Sequence, residues 1–224
     1  MKILALEFSS SQRSVGVVTT ISRQTGPIDV AEVIETGGSV ARPFEMIEEV
    51  LRQARIEREQ IECVAVALGP GSYNGIRSSI AIAQGWQLAA GTKLLGISAI
   101  DCLVAQARED GLIGKVNIVI DAQRTEFYLA SFHIEADNGN TRSIDPLRIV
   151  DRKAVDALAT SGDQLVGPEI TKWFPQGHDL FPRAAILGRL ALSRTDFVSG
   201  DHLEPIYLRE TNFVKAPATR KLPP

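Results

Sequence analysis

Glu7 and Asp121 are the two residues of this chain whose type and setting point most directly to chemistry. Each closes an apolar run, residues 3–8 and 116–121. Each is followed by a polar turn carrying hydroxyls: Ser9, Ser10 and Ser11 after the first, Thr125 after the second. Paired carboxylates beside hydroxylated turns supply the oxygen ligands that a Mg²⁺–nucleotide requires. The same acids can instead end their strands and accept hydrogen bonds from hairpin amides, and no nucleophile or general base is specified by spacing. Residues 69–75, Gly-Pro-Gly-Ser-Tyr-Asn-Gly, form a glycine loop between an apolar strand and a helix of small residues. Such a loop can cradle a phosphate at a helix N-terminus. It fits neither phosphate template, because Gly75 is followed by Ile76-Arg77 rather than Lys-Ser/Thr, and Gly69-x-Gly71-x-x-x-Gly75 is one residue too long for a dinucleotide fingerprint. A tight strand-to-helix packing turn is the plainer account of it. Gly167-Pro168-Glu169 offers either an adenosine-side loop or a plain turn.

Other chemistries lack their residues. There is no nucleophile elbow and no Cys–His pairing, and a peptidase would need a nucleophile–base pair that the spacing does not supply. His133, His178 and His202 are scattered without ligand spacing. Cys63 and Cys102 sit in apolar periodic segments and read as buried free thiols. A net charge of −3 argues against a principal nucleic-acid binder. No apolar run approaches the ~20 residues of a membrane helix, so the expectation is a cytoplasmic protein with no membrane partner.

The elements that would position these residues repeat. Strands over 3–8, 14–18 and 30–36, a helix over 41–56, a strand over 63–68, a helix over 75–90 and a strand over 93–97 give the order βββαβαβ. Ser98 and Asp101 open a helix as a capping box. The plan then restarts: strands over 116–121, 126–133 and 144–150, a turn at Asp137-Asn138-Gly139-Asn140, a helix capped by Asp151, a strand over 164–166, and a helix from Pro182 to Arg194. The division this predicts is an N-terminal half over 1–98, a C-terminal half over 99–204 and a terminal segment over 205–224, its last residues 216–224 a loose tail. Two similar α/β halves with mixed sheets would meet at a cleft holding Glu7, Ser9, Ser10 and Asp121.

The first helix carries Phe44, Met46, Ile47, Val50 and Leu51. That spread exceeds the roughly 100° arc a helix needs against its own sheet. The surplus either meets another subunit or is covered by this chain's own loops.

At the glycine loop, and through Ala83-Gln84-Gly85 and Leu95-Gly96-Ile97-Ser98 after it, the chain resembles the bacterial TsaB (YeaZ) family. Residues 121–128, the serine-rich first turn and Pro205-Ile206-Tyr207-Leu208-Arg209 match the same pattern in order. The resemblance implies an α/β protein of the actin-like/Hsp70-like ATPase superfamily with two RNase H-like mixed-sheet halves. It implies a non-catalytic subunit for the threonylcarbamoyladenosine modification of tRNA, paired through its N-terminal helices with a TsaD-like catalytic subunit, with a TsaE-like ATPase joining and tRNA met only through the complex. The helices carried over offer Phe44, Ile47, Val50, Leu51, Ile76, Ile80 and Ala83 as the partner surface, and alone they could form a homodimer. No cofactor is implied beyond weak ATP or ADP binding. The catalytic paralogue's H-x-x-x-H metal helix has no counterpart here. Family members usually carry Asp at the position of Glu7 and His-Ser at Pro43-Phe44. The rival reading is an ATP-dependent phosphotransferase or ATPase in which Glu7 and Asp121 hold Mg²⁺.

Overall fold

The computed structural model describes residues 1–20, 27–37, 42–136 and 140–209 of the 224-residue chain. The Asp137-Asn138-Gly139 part of the expected turn, the first residue of the expected 41–56 helix and the 216–224 tail lie outside these residues.

The first sheet holds β1 (Lys2–Glu7), β2 (Gln12–Thr20), β3 (Ile28–Thr36), β4 (Cys63–Ala67) and β5 (Lys93–Ile97) in the order β3-β2-β1-β4-β5. The first three pair antiparallel, and β4 and β5 then add in parallel. The second sheet holds β6 (Gly114–Asp121), β7 (Glu126–Ile134), β8 (Thr141–Asp151), β9 (Gln164–Gly167) and β10 (His178–Asp179) in the order β10-β9-β6-β7-β8. Its senses match: β6, β7 and β8 antiparallel, β9 and β10 parallel. The repeat read from the sequence is therefore a repeat of topology, with β1 and β6 as the equivalent central strands.

Helix α1 (Pro43–Ala54) covers β2 and β3, and α2 (Tyr73–Ala90) lies along β4. Ser72 caps α2 by accepting from the Gly75 amide at 3.3 Å. The proline at the start of α1 uses an amide position that has no intrahelical acceptor. This helix stops before residue 56 because Arg55 turns left-handed (φ 55°). Arg52 pairs with Glu49 at 2.7 Å, and Glu48 holds Arg58 at 2.6 Å. Helix α3 (Ala99–Glu109) is capped by Ser98 at 3.1 Å, and α4 (Arg152–Thr160) by Asp151 at 3.0 Å.

Helix α5 (Ala184–Leu192) belongs to the second span of sequence but packs on the first sheet, against β1 and β2. Glycines permit the close approach. A Cβ on Gly188 would lie 2.4 Å from Val18, and one on Gly16 would lie 3.2 Å from the Ala184 backbone. The helix begins at Ala184, two residues after Pro182, because side chains from β2 and β3 receive its first amides. Ser14 Oγ accepts from Ala184 at 2.8 Å and Glu32 from Ala185 at 2.9 Å, while Glu32 also pairs with Arg183. Helix α3 serves both halves: Cys102 joins the cluster of Ile3, Ala5 and Leu187, and Ile100, Leu103 and Ala107 join that of Ile118 and Ile120.

Candidate functional site

Both carboxylates are engaged by their own hairpins. Glu7 is fully buried, and its Oε1 accepts from the Ser9 amide at 2.7 Å and the Ser9 hydroxyl at 2.6 Å. Its Oε2 has no hydrogen-bond partner among the described residues. Asp121 is half-buried and accepts from the Gln123 amide at 2.7 Å and the Gln123 side chain at 3.3 Å. Ser10 donates to the Gln12 carbonyl at 2.7 Å. Among the described residues no hydrogen bond or ion pair joins Glu7 to Asp121, and no group of three or more His, Cys, Asp or Glu converges as a metal site.

The glycine loop points inward. Ser72 donates its amide to the Ser9 carbonyl at 2.7 Å. A Cβ on Gly71, whose φ is +148°, would lie 2.1 Å from that carbonyl oxygen, and one on Gly75 would lie 1.9 Å from the Phe8 carbonyl oxygen. These glycines let the start of α2 rest directly on the turn after β1. The loop's local chemistry is packing. Gly167 does the same in the second half, where a Cβ would meet the Val119 carbonyl at 1.8 Å, so the Gly167-Pro168-Glu169 segment is a turn seated on β6.

Burial pushes Glu7 up to about 7, against the two Ser9 hydrogen bonds, which pull it down. The sign follows. The folded chain holds this proton more tightly than the unfolded chain, so the stabilisation is complete below the unfolded value near 4.5 and is lost as pH rises through about 7. A shift of this size corresponds to about 3 kcal/mol. Glu7→Gln is therefore expected to flatten the fall in stability between about pH 5 and about pH 8 that the natural chain shows. Urea midpoints for both proteins at the two pH values check this, and parallel pH profiles would overturn it. Burial, with the Glu7 carboxylate next in weight, also pushes the Cys102 thiol up, and Cys63 and Cys102 are both buried and form no disulfide among the described residues.

Six of the seven residues expected on a partner surface are turned inward. Ile47, Val50, Leu51, Ile76, Ile80 and Ala83 are all buried in this chain's own first core, at 6% exposure or less. The apolar width of α1 is consumed by covering two strands. Ala31 and Val33 of β3 pack into the same cluster as Val15 and Val17 of β2. Of the seven residues, Phe44 faces solvent, at 67% exposure. The outward stripe of α2 instead carries Tyr73, Arg77, Ala81, Gly85 and Leu88, and a Cβ on Gly85 would meet nothing within 4 Å. Ala81 and Gly85 belong to the small-residue face that the sequence offers for close approach, whereas Ala83 turns into the core.

Two sheets of one topology, each central strand ending in a carboxylate, define a two-lobed α/β protein of actin-like fold. The family model for TsaD, tRNA N6-adenosine threonylcarbamoyltransferase, matches residues 40–201. The tRNA threonylcarbamoyladenosine biosynthesis protein TsaB of Escherichia coli K12 is 25% identical, the match covering 93% of this chain and 95% of that protein. The same-named protein of Haemophilus influenzae is 26% identical over 97% and 98%. The solved structure of YeaZ from Pseudomonas aeruginosa superposes with a TM-score of 0.75 over 92% of this chain and 99% of that one, at 22% identity. The chain belongs to the family that the TsaD model describes, and over nearly its whole length it is similar to proteins named TsaB and to YeaZ.

Proposed function

We propose that this chain works in the cytoplasm in threonylcarbamoyladenosine biosynthesis on tRNA, as an accessory subunit that binds and activates a TsaD-like catalytic subunit. A TsaE-like ATPase joins the assembly, and tRNA is met only through it. The observation that carries the reading is the near-full-length match to proteins named for that biosynthesis. The local chemistry agrees, since the glycine loop is spent on the Ser9 carbonyl and one oxygen of Glu7 on Ser9. The partner surface in this reading is Phe44 with the outer stripe of α2, where small residues allow a facing helix to come close and Tyr73 and Leu88 bracket it. The decisive experiment is reconstitution of tRNA modification with TsaD-like and TsaE-like proteins and a threonylcarbamoyl-adenylate source. Modified adenosine should require this chain, and full product without it would overturn the reading.

The same assay carries a point test. Gly85→Arg places a long cation in the middle of the exposed stripe, where nothing of this chain stands in its way. Its expected effect is at least a tenfold loss of affinity for the TsaD-like subunit, about 1.4 kcal/mol or more, with an unchanged or slightly raised Tm. Wild-type affinity would move the interface elsewhere.

The partnerless Oε2 of Glu7 favours a second reading, an ATP-dependent phosphotransferase or ATPase in which Glu7 and Asp121, with Ser9 and Ser10, hold a Mg²⁺–nucleotide. Mg-ATP affinity lost on Asp121→Ala would support it, and titration without heat or fluorescence change would end it.

A further inference from the structure

Between Leu203 and Arg209 the chain crosses from one half to the other, and the two ends of that crossing are tied to different sheets. Leu203 is buried in the first core. The Ile206 amide donates at 2.8 Å to the carbonyl of Leu68, the residue after β4. Tyr207 stacks on Tyr73, the first residue of α2, with ring centres 5.7 Å apart and planes at 28°. The Arg209 guanidinium then donates to the Ala122 carbonyl at 3.0 Å and to Glu126 at 2.6 Å. Those two residues flank the β6–β7 turn. The crossing thus spans the carboxyl ends of β4 and β6, the side on which open α/β sheets take their ligands.

The turn at its far end is strained. Gln123, Arg124 and Thr125 have φ of 65°, 59° and 61°, three successive side-chain-bearing residues in the left-handed region. Such residues cost on the order of 1 kcal/mol each and persist only where their surroundings over-determine them. Inside the turn, Asp121 accepts from the Gln123 amide and the Glu126 amide donates to the Gln123 carbonyl at 3.2 Å. Arg209 grips both flanks from outside.

We infer that residues 205–209 are a latch between the halves: anchoring on Leu68 and Tyr73 sets the position of Arg209, and Arg209 holds the 123–125 turn in its left-handed run. The conformation of a turn in the second half, directly after Asp121, is thereby coupled to the start of α2 in the first. The latch does not depend on the partner role above.

The test is amide hydrogen exchange on the full-length chain, comparing Arg209→Ala, Tyr207→Ala and Ile206→Pro with the natural sequence. Arg209→Ala removes charge-assisted bonds and should speed exchange of the Gln123 and Glu126 amides about tenfold. The coupling is read from the other two variants, which leave Arg209 in place and cut only the first-half anchor. Each should speed the same second-half amides several-fold while the amides of β1 and β6 stay protected. If Ile206→Pro fails to fold, Tyr207→Ala alone decides. Unchanged Gln123 and Glu126 amides in Tyr207→Ala would reduce Arg209 to a local staple and overturn the latch, as would unchanged exchange in Arg209→Ala.

Discussion

Gly75→Ala is expected to leave little folded protein, although it adds one methyl group in the first turn of a helix. The new carbon would lie 1.9 Å from the Phe8 carbonyl oxygen and 3.0 Å from its carbon. Both sides of that clash are backbone, and neither can rotate away. Phe8 follows directly on β1, which is paired on both edges by β2 and β4, so the oxygen cannot retreat without disturbing the centre of the first sheet. Helix α2 cannot retreat either without withdrawing Ile76 and Ile80 from the core and breaking the Ser72–Ser9 bond. Ordinary overpacking costs about 1–3 kcal/mol, and a clash between two fixed backbones belongs above about 4 kcal/mol. Gly85 on the same helix supplies the control, since its Cβ would stand in open space and alanine there should gain about 0.5–1 kcal/mol. Urea midpoints of the two variants should move in opposite directions. A Gly75→Ala protein with the natural midpoint would show that α2 is free to slide on the β1–β2 turn.

This contrast also marks what the sequence could and could not convey. Turn chemistry is local and was legible. Ser98 and Asp151 cap the helices that their positions announced, and the repeated βββαβαβ order appears as two sheets of one topology. The role of the glycine loop stayed open between anion binding and packing, because the group that Gly71 and Gly75 approach is a carbonyl more than sixty residues earlier. The start of α5 was misplaced for the same reason: its amides are received by Ser14 and Glu32 of the other half. Nothing in a local window announces such a cap. Glu32 drew no attention in the sequence, yet its side chain is nearly fully buried and holds Arg183 as well as the helix. Hydropathy patterns report that α5 has an apolar face but not which sheet it will meet.

The width of the apolar face on α1 is where sequence and structure part most clearly, and it carries the second large effect. Ile47→Asp is expected to unfold the chain, whereas Phe44→Asp, one turn earlier, should leave its Tm within about 2–4 °C of the natural value. Ile47 is 2% exposed and Phe44 67%. The Ile47 side chain sits in the cluster that contains Leu4, Leu6, Val15 and Val17, so its replacement loses the transfer energy of a buried isoleucine and leaves a cavity, together about 2–5 kcal/mol. The carboxylate then adds its own penalty. It must either enter the core charged without a partner or take up a proton at neutral pH, at a further cost of several kcal/mol. Against a total stability of about 5–15 kcal/mol the sum leaves little folded state. Circular dichroism and Tm separate the outcomes, and binding to the TsaD-like subunit then becomes interpretable. Loss of binding in Ile47→Asp reports unfolding, whereas loss in a folded Phe44→Asp reports an interface. A cooperative melt of Ile47→Asp near the natural Tm would mean that α1 lifts off β2 and β3 at little cost, and the core residues of α1 would then be available to a partner after all.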